Sequence, residues 1–576
     1  MPYRYLLQID VEVPMSRVCK SLILSFLAVL VLGQVGSAQA PGQVSEKDLT
    51  AKIDKLLSDV YKPGQPGAAV LVKKQGKVIW RKGYGLANLE LKVPVEPDMI
   101  FRLGSITKQF TAVAVLMLAE EGKLSLQDEI TKFLPDYPTQ GNKITVEHLL
   151  THTSGVKSYT DMPEWLPLQR KDMTVGEIID LFKNQPMEFA PGERWKYSNS
   201  GYILLGAIVE KASGKSYADF LADRIFGPLG MKSSCYDSTS RIIPRRVPGY
   251  AKGNAGFENA PYLSMSQPYA AGSLASSVDD LATWTEALLS GKLIKREALE
   301  RAFTSSKLKD GLDSKYGYGW CISDYEGHRL IEHGGGIHGF LSHALFFPED
   351  QIFVALLTNS AVSELQPEPL AFRAGCLALG IPYKEPVPIF LSEKELEPLL
   401  GVYADAQGEE LYITRQGNKL FSQIAGVGKS EIRPVSATEF FVTDFPARVH
   451  FLKDGKGAVT GLKVIARIGP VQPYAKTDKP LPAERKEIKL DPALYDQYVG
   501  EYELAPGFAV VITKEDGKLM GQATGQPKVE LYPEAETKFF LKVVDGQVEF
   551  VKSETGKVTG LILIQGGQKL PGRKIK

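Results

Sequence analysis

Residues 101–121 read Phe-Arg-Leu-Gly-Ser-Ile-Thr-Lys-Gln-Phe-Thr-Ala-Val-Ala-Val-Leu-Met-Leu-Ala-Glu-Glu, and this stretch decides the fold class of the chain. Helix-forming residues fill its second half and Gly122, a frequent helix terminator, follows them, so the stretch predicts a helix that begins near Ser105. Residues three apart share one face of a helix, which brings the Lys108 side chain to the Ser105 hydroxyl. A neutral serine is a weak nucleophile until an adjacent base activates it. Free N–H groups of the first helical turn would also favour negative charge developing there.

S-x-x-K alone would more often be an N-capping serine and a solvated lysine, but two further motifs follow it. Tyr-Ser-Asn stands at 197–199 and His-Gly-Gly at 333–335, about 90 and then about 135 residues further along. With these three elements in order, the chain resembles the β-lactamase-related serine hydrolases, a group that includes class C β-lactamases, D-Ala-D-Ala carboxypeptidases, D-aminopeptidases and related esterases. Further landmarks of that family stand at 149–156, 201–210, 228–231, 271–281 and 316–320.

The resemblance implies a fold, and the residue pattern agrees with it. Strand-like segments occupy 68–84 and 318–358, and helical periods dominate the stretch between 105 and 300. We therefore expect an α/β (α+β) penicillin-binding/β-lactamase-like domain over residues 45–380. It would hold one antiparallel sheet flanked by helices, with a helical subdomain inserted between its distant strands.

The resemblance also implies roles for the first two motifs. Ser105 is the nucleophile and Lys108 its activating partner. Tyr197 is assigned as general base and as proton donor to the leaving group, which requires a phenol whose ordinary pKa is about 10 to be depressed. Whether Lys108 is a neutral base or a cation that keeps Tyr197 deprotonated stays open. Asn199 would point the same way as Tyr197 in an extended segment, and would bind Lys108 or a substrate amide, or cap a turn.

The third motif departs from the family's Lys-Thr-Gly. His333 replaces the lysine, and a histidine near neutral pH is charged only part of the time, so recognition of a β-lactam or D-Ala-D-Ala carboxylate should be weak. Gly334 and Gly335 would let a substrate approach the strand edge closely. The N–H of Gly336, together with that of Ser105, should form the oxyanion hole.

Other histidines suggest metal chemistry at first sight. His148 and His152 are four apart, but the stretch lacks the glutamate of a zinc-protease helix, so we expect capping or core roles for them. His338 and His343 could line the cleft. We expect no metal and no organic cofactor.

After Gly380 the composition changes. A Pro-rich linker is expected at 381–394, followed by an internal repeat at an offset of 99 residues, in which Gly401 and Tyr403 match Gly500 and Tyr502. Each copy contains seven or eight short strand-like runs between turn residues. We therefore expect two repeated all-β barrel-like domains, at 395–475 and 490–572, with accessory or interface roles that include possible oligomer contacts.

The composition indicates which partners the protein binds, and the N-terminal residues indicate where the protein is located. Lys and Arg number 68 against 67 Asp and Glu, which argues against a nucleic-acid partner bound by bulk charge. Basic residues precede an apolar run at 22–33, and Ala-Gln-Ala at 38–40 supplies small residues for cleavage. Residues 1–40 thus read as a signal peptide with Met15 as a possible true start, and an uncleaved anchor is the alternative. We expect an exported protein, periplasmic or secreted, with no membrane span in the mature chain.

These features together predict an exported serine hydrolase. It would cleave amide or ester bonds of D-amino-acid peptides, peptidoglycan fragments or small esters, through an acyl-enzyme on Ser105. Two alternatives are β-lactamase or penicillin-binding activity, and a non-catalytic binding protein that uses the C-terminal barrels. Retention of Ser105, Lys108 and Tyr197 favours an enzyme, since a dead one would usually have lost one of them.

Overall fold

The computed structural model of the protein describes residues 45–576, apart from 254–255, 425–427, 444–446, 468, 484, 506–507, 525–527 and 566–567. The predicted signal peptide, including Met15, lies outside the described residues. Within the described part of the chain, no helix combines the length and the apolar character that crossing a membrane requires.

The N-terminal domain runs from residue 46 to residue 379. Its helices are α1 (Glu46–Ser58), α2 (Thr107–Glu120), α3 (Val146–Leu150), α4 (Val175–Phe182), α5 (Asn199–Ser213), α6 (Tyr217–Leu221), α7 (Gly227–Leu229), α8 (Tyr269–Gly272), α9 (Val278–Leu289), α10 (Arg296–Ala302) and α11 (Pro367–Leu379). Its strands are β1 (Ala68–Lys74), β2 (Lys77–Tyr84), β3 (Leu86–Asn88), β4 (Val93–Pro94), β5 (Phe101–Arg102), β6 (Cys235–Tyr236), β7 (Tyr250–Gly253), β8 (Gly256–Asn259), β9 (Leu274–Ser276), β10 (Cys321–Tyr325), β11 (His328–Ile337), β12 (Phe340–Phe347) and β13 (Ile352–Thr358).

One antiparallel sheet organises this domain. Its six strands lie in the order β10-β11-β12-β13-β1-β2, so β1 from the start of the domain pairs with β13 from its end. The β1–β2 hairpin turns at Gln75 and Gly76, which both have positive φ, as a type I′ turn requires. Strands separated by more than 200 residues thus form a single sheet around a helical insertion, as the sequence predicts.

Helices cover both faces of the sheet. On one face, α1 and α11 pack over β1, β12 and β13. On the other, the helical layer is centred on α2, which is buried from Thr107 to Leu118. A helix that is apolar all round belongs inside a domain, and Phe110 of α2 stacks on Trp284 of α9 with ring centroids 4.1 Å apart. The 3₁₀ turn that precedes α2, Gly104–Ile106, contacts the sheet at β11.

Two closed barrels follow, introduced by the short helix α12 (Glu393–Leu396). Barrel 1 contains β14 (Gly401–Ala404), β15 (Glu410–Gln416), β16 (Lys419–Ile424), β17 (Ser430–Pro434), β18 (Glu439–Val442), β19 (Ala447–Lys453), β20 (Val459–Ala466) and β21 (Gln472–Lys476). Barrel 2 contains β22 (Gly500–Ala505), β23 (Phe508–Glu515), β24 (Lys518–Ala523), β25 (Val529–Pro533), β26 (Lys538–Phe540), β27 (Gly546–Lys552), β28 (Val558–Gln565) and β29 (Gln568–Lys574). Closure leaves neither barrel an unpaired edge strand. The predicted fold class is confirmed, including both barrels.

The barrels repeat each other down to single hydrogen bonds. The Tyr403 hydroxyl donates to the carbonyl of Leu399 at 2.7 Å, and the matching Tyr502 donates to the carbonyl of Tyr498 at the same distance. Each barrel also has its own apolar core. The sequence repeat therefore corresponds to two separate barrels rather than to the halves of one.

Candidate active site

Ser105 lies in a tight turn rather than inside the following helix. A 3₁₀ turn spans Gly104–Ile106, and α2 begins at Thr107, two residues later than the sequence predicts. Gly104 has φ +54°, and a Cβ there would lie 2.9 Å from the nitrogen of Gly336. A glycine at this position therefore lets the Ser105 turn lie directly against strand β11.

Lys108 is fully buried and has three uncharged hydrogen-bond partners. Its Nζ lies 3.2 Å from Ser105 Oγ, 2.8 Å from Asn199 Oδ1 and 2.9 Å from the carbonyl oxygen of Ala271. Burial holds the pKa of Lys108 well below its usual range. The ring of Tyr197, centred 4.7 Å from Nζ, would stabilise an ammonium, but the loss of water around the charge outweighs it.

The geometry around Nζ suits a neutral amine. The oxygens of Asn199 and Ala271 can only accept, so they take the two N–H groups that an amine has. The third tetrahedral position, where the amine carries its lone pair, faces Ser105 Oγ. The arrangement can therefore accept a proton from the Ser105 hydroxyl.

Tyr197 presents a buried hydroxyl that has no hydrogen-bond partner within the described part of the chain. Burial raises the pKa of this phenol above its usual value, although the nearby Ser105 side chain opposes the shift. Tyr197 is accordingly protonated at neutral pH, which differs from the depressed pKa that the base role requires. A phenol in this state is a proton donor.

Asn199 is the first residue of α5, so the extended segment that would point it the same way as Tyr197 is not formed. Ser198 caps the helix instead, accepting a hydrogen bond from the N–H of Gly201. The Asn199 amide still reaches Lys108 with its oxygen, and its nitrogen donates to Thr160 Oγ1 at 3.0 Å. The amide therefore has a fixed orientation.

His333 is neutral, which corrects the partial charge that the sequence suggested. Burial lowers its pKa to about 3. Its Nδ1 lies 2.6 Å from the carbonyl oxygen of Gly334, which can only accept, so Nδ1 carries the hydrogen. Nε2 then accepts from the Tyr316 hydroxyl at 2.9 Å. Both ring nitrogens are occupied, and the ring offers a substrate no positive charge.

The three glycines lie on the part of β11 that faces the Ser105 turn. Strand β10 pairs with β11 only as far as Glu332, so Gly334, Gly335 and Gly336 have β12 on one side only. A Cβ at Gly335 would lie 1.9 Å from the carbonyl oxygen of Leu103, which excludes any other residue there. The structure thus brings Gly336 beside the Ser105 turn, and its role in an oxyanion hole stays a prediction.

Two residues of the site were missed by sequence reasoning. Tyr316, the partner of His333, stands inside the family landmark at 316–320 and was not assigned a role. His152 packs against Tyr197 with ring centroids 4.2 Å apart and accepts from the backbone N–H of Ser198 through Nδ1. Both residues stand inside family landmarks, at 149–156 and 316–320, and this is the signal in the sequence that could have identified them.

The structure gives His148 and His152 the capping and core positions predicted for them. His148 completes a capping box with Thr145, and His152 is buried against Tyr197. His343 does not line the cleft, because it bonds Glu332 on the opposite face of the sheet. Within the described ranges, no group of three histidine, cysteine or acidic side chains is arranged to hold a metal ion.

The fold and the site together define a serine hydrolase of the β-lactamase fold, and comparison with known families agrees. The β-lactamase family model matches residues 49–375, more than half of the chain, and the protein belongs to this family of serine hydrolases. Residues 484–573 match a second model, described as a domain of unknown function (DUF3471), which corresponds to barrel 2.

Individual relatives are similar over longer stretches. Penicillin-binding protein 4* of Bacillus subtilis (strain 168) is 27% identical over 535 residues, covering 90% of this chain and 97% of that protein. The octameric penicillin-binding protein homologue from Pyrococcus abyssi is 28% identical with a TM-score of 0.54, over 74% of this chain and all of that one. The D-amino acid amidase from Ochrobactrum anthropi SV3, complexed with D-phenylalanine, is 27% identical with a TM-score of 0.51, over 58% of this chain and 99% of that one.

Proposed function

We propose that the protein hydrolyses amides and small esters of D-amino acids and their peptides through an acyl-enzyme on Ser105, with Lys108 as the base. The observation that carries the proposal is the buried Lys108 amine, whose three neighbours are uncharged and whose free position faces Ser105 Oγ at 3.2 Å. This distance is within the reach expected of a nucleophile and its base.

The reaction proceeds in two halves. Lys108 takes the Ser105 proton as Oγ forms a bond to the substrate carbonyl carbon, and the oxyanion develops between the N–H groups of Ser105 and Gly336. Tyr197 gives its proton to the leaving nitrogen or oxygen as that bond breaks, and the Lys108 ammonium returns a proton to the tyrosinate. Water then attacks the acyl-enzyme by the same route and releases the acid.

The neutral His333 supports substrates that lack a carboxylate beside the scissile bond. The stretch 332–340, which carries the third motif, contains no lysine or arginine, and the imidazole is uncharged at any pH at which the enzyme would work. The similarity to a D-amino acid amidase supports substrates of the D configuration. A β-lactam, whose carboxylate would find no cation on this strand, should acylate Ser105 slowly.

A substrate panel tests the proposal. We expect D-phenylalanine amide and a p-nitrophenyl ester to be turned over with higher kcat/KM than L-phenylalanine amide or a chromogenic cephalosporin, and a Ser105→Ala variant to be inactive. The ratio of ester to cephalosporin should stay constant from pH 5.5 to 8, since His333 does not titrate there. Preference for the cephalosporin at pH 8, or activity that survives in Ser105→Ala, would contradict the proposal.

Variants of His333, in the third motif, add a second part to this experiment. His333→Lys places a cation on the strand and should raise the kcat/KM for the cephalosporin relative to the neutral ester. His328→Lys is the matched control, because His328 begins the same strand but pairs with Asp350. An equal response of the two variants would remove His333 from substrate selection.

Export and assembly remain part of the proposal. The basic residues, apolar run and Ala-Gln-Ala of residues 1–40 support a protein released into the periplasm or medium, and cleavage would leave Pro41 as the first residue. N-terminal sequencing of the mature protein tests this, and a chain that still begins at Met1 or Met15 would contradict it. Association through the barrels is testable by light scattering.

A further inference from the structure

Barrel 1 touches the N-terminal domain at the strand that carries His333. Among the described residues, Ala466, Arg467 and Gly469 make this contact, and we call these three the barrel-1 clasp. The carbonyl of Ala466 accepts from Lys315 Nζ at 3.1 Å. A Cβ at Gly469 would lie 3.1 Å from the Trp195 ring, so the barrel backbone lies directly on the indole.

Arg467 contacts the sheet on the face opposite to the one that carries His333. Its Nη2 lies 2.8 Å from Glu332 Oε2 and 3.0 Å from Glu368 Oε1 of α11, while its guanidinium stacks over Phe372 at 5.0 Å. The Glu332 side chain is only 1% exposed. Its Oε2 also accepts from His343 Nε2 of β12 at 3.0 Å. The Arg467 guanidinium thus joins barrel 1 to β11 and α11, and through the Glu332 carboxylate it is linked to β12.

Glu332 and His333 are neighbours on β11 and point to opposite faces of the sheet. Glu332 also marks the last residue of β11 that pairs with β10, through Cys321. Beyond it, one side of β11 is held by no strand, and this is the segment that carries Gly334–Gly336. The clasp contacts both faces here, since Trp195 on the front packs against Tyr316, the hydrogen-bond partner of His333.

The repeat shows that this arginine is not needed to build a barrel. At the offset of 99 residues, Arg467 of the first copy corresponds to Gly566 in the second. Tyr403 and Phe451, which form the core of barrel 1, correspond to Tyr502 and Phe550 in barrel 2. The core is repeated and the arginine is not, so Arg467 serves the contact with the N-terminal domain.

We propose that barrel 1 is part of the catalytic unit and that Arg467 is a positioning residue, which fixes the unpaired segment of β11 against Ser105 through its ion pair with Glu332. The proposal rests on the acyl-enzyme chemistry proposed above for Ser105. It assigns the first barrel a role in the reaction itself.

The charge balance at Glu332 explains why an arginine is required. Burial opposes ionisation of this carboxyl, but the charge of Arg467 and the hydrogen bond from His343 outweigh burial and lower the pKa of Glu332. Arg467 is the permanent cation at this position, and without it an ionised Glu332 would be left buried beside the site. Among the described residues, the titratable groups that face the Glu332 carboxylate, directly or through Arg467, are Arg467, His343, His333, Cys321, Glu368 and Cys376.

The test measures how fast Ser105 reacts rather than how much protein folds. Full-length Arg467→Met is mixed with a fluorophosphonate probe, and the rate constant and final extent of labelling are recorded separately. A positioning role lowers the rate constant, by about 10- to 100-fold, since small displacements of reacting groups have costs of this order. A purely structural role lowers only the extent.

The matched control is Arg415→Met in the same barrel. Arg415 also pairs with two glutamates, Glu393 at 2.8 Å and Glu397 at 3.5 Å, but these belong to the segment that introduces barrel 1. It should label at the wild-type rate. Arg467→Lys, which keeps the charge but loses the forked geometry, should recover part of the rate.

Measuring the labelling rate constant over a range of pH tests the role of the Glu332 charge. Without Arg467 the pKa of Glu332 rises, so the carboxyl becomes neutral as the pH falls, and the deficit of Arg467→Met relative to wild type should shrink from pH 8 to pH 5.5. In Arg467→Met/Glu332→Gln, which leaves no buried charge, the remaining deficit should not vary with pH. If the single variant does not fold, this double variant decides: a reduced rate constant supports the proposal.

Each outcome separates this inference from the proposed function. If wild-type protein labels at Ser105 and either Arg467→Met or the double variant labels at the wild-type rate constant, the positioning role is overturned and the acyl-enzyme proposal stands. If wild-type protein does not label, or Ser105→Ala labels as well, both are overturned.

Discussion

At the scale of single residues, burial of Lys108 sets the pH range in which Ser105 can react. Only the neutral amine can take the serine proton, and burial lowers the pKa of Lys108, so the amine form is present at lower pH than for an exposed lysine. We expect the rate of Ser105 labelling to rise with pH through this lowered pKa and then to level off. Stopped-flow labelling from pH 5 to 9 measures this.

Lys108→Arg should abolish this behaviour, with at least about a 100-fold loss of rate, because a guanidinium stays protonated at every pH tested. Lys123→Arg is the control, since Lys123 is exposed just beyond α2 and pairs with Glu121. A Lys108→Arg variant with the wild-type rate at pH 7 would show that another group is the base.

The raised pKa of Tyr197 leads to a different expectation from that for Lys108. A protonated phenol matters most when the leaving group needs a proton, so Tyr197→Phe should lower turnover of an amide by about 100-fold or more. Acylation by a p-nitrophenyl ester, whose leaving phenolate is stable without a proton, should be affected much less. Comparable losses on both substrates, measured as kcat/KM, which reports acylation and not the deacylation step that both substrates share, would instead point to Tyr197 as the base that activates Ser105.

At the scale of elements, the sequence predicted helices and strands well where one residue pattern sufficed. The helix that follows Ser105 and the strand-like stretch at 68–84 are both confirmed, since each depends on neighbours in the chain. Helix α2 begins two residues after Ser105, and Asn199 begins α5 instead of lying in an extended segment. Both differences arise at helix N-termini, where the 3₁₀ turn against β11 and the residues around the Ser198 cap depend on contacts from distant segments.

Helix α5 packs closely against α8, the helix that supplies a hydrogen-bond acceptor to Lys108. A Cβ at Gly206 would lie 2.5 Å from the Cβ of Ala270 in α8, and the next residue, Ala271, supplies the carbonyl that binds Lys108. Gly206→Ala should therefore push α8 away, lowering the free energy of unfolding by about 1–3 kcal/mol and slowing Ser105 labelling.

Gly201→Ala in the same helix is the matched control. Its nearest neighbour would be the carbonyl oxygen of Leu149 at 3.5 Å, an ordinary contact, and alanine favours the helix by up to about 1 kcal/mol. Thermal and urea unfolding of both variants give the comparison. Equal stability of the two would mean that α8 is not held by the Gly206 contact.

At the scale of the whole molecule, the sequence predicted the N-terminal domain and the two barrels, but not the contact between barrel 1 and the N-terminal domain. The offset of 99 residues was enough to predict two barrels, because each builds its core from its own residues. The pairing of Arg467 with Glu332 joins positions 135 residues apart. Nothing in the local pattern around either residue distinguishes it from an ordinary surface charge, so only the folded chain shows that barrel 1 reaches the site.

This arrangement makes the two barrels unequal, and truncation can show it. Barrel 1 contributes the clasp, and its last strand is secured by the bond from the Thr477 N–H to the Val402 carbonyl, so a chain ending after Lys479 keeps barrel 1 closed. Removing residues 480–576 should leave the rate constant for Ser105 labelling unchanged. Removing residues 381–576 also takes away Arg467 and the rest of the clasp, so the rate constant should fall by about 10- to 100-fold even among the molecules that fold. Adding Glu332→Gln to this shorter chain restores neutrality but not the clasp, so the slow rate should persist. If both truncated chains label as fast as the full chain, barrel 1 would be an appendage like barrel 2, and β11 would be held in place by the N-terminal domain alone.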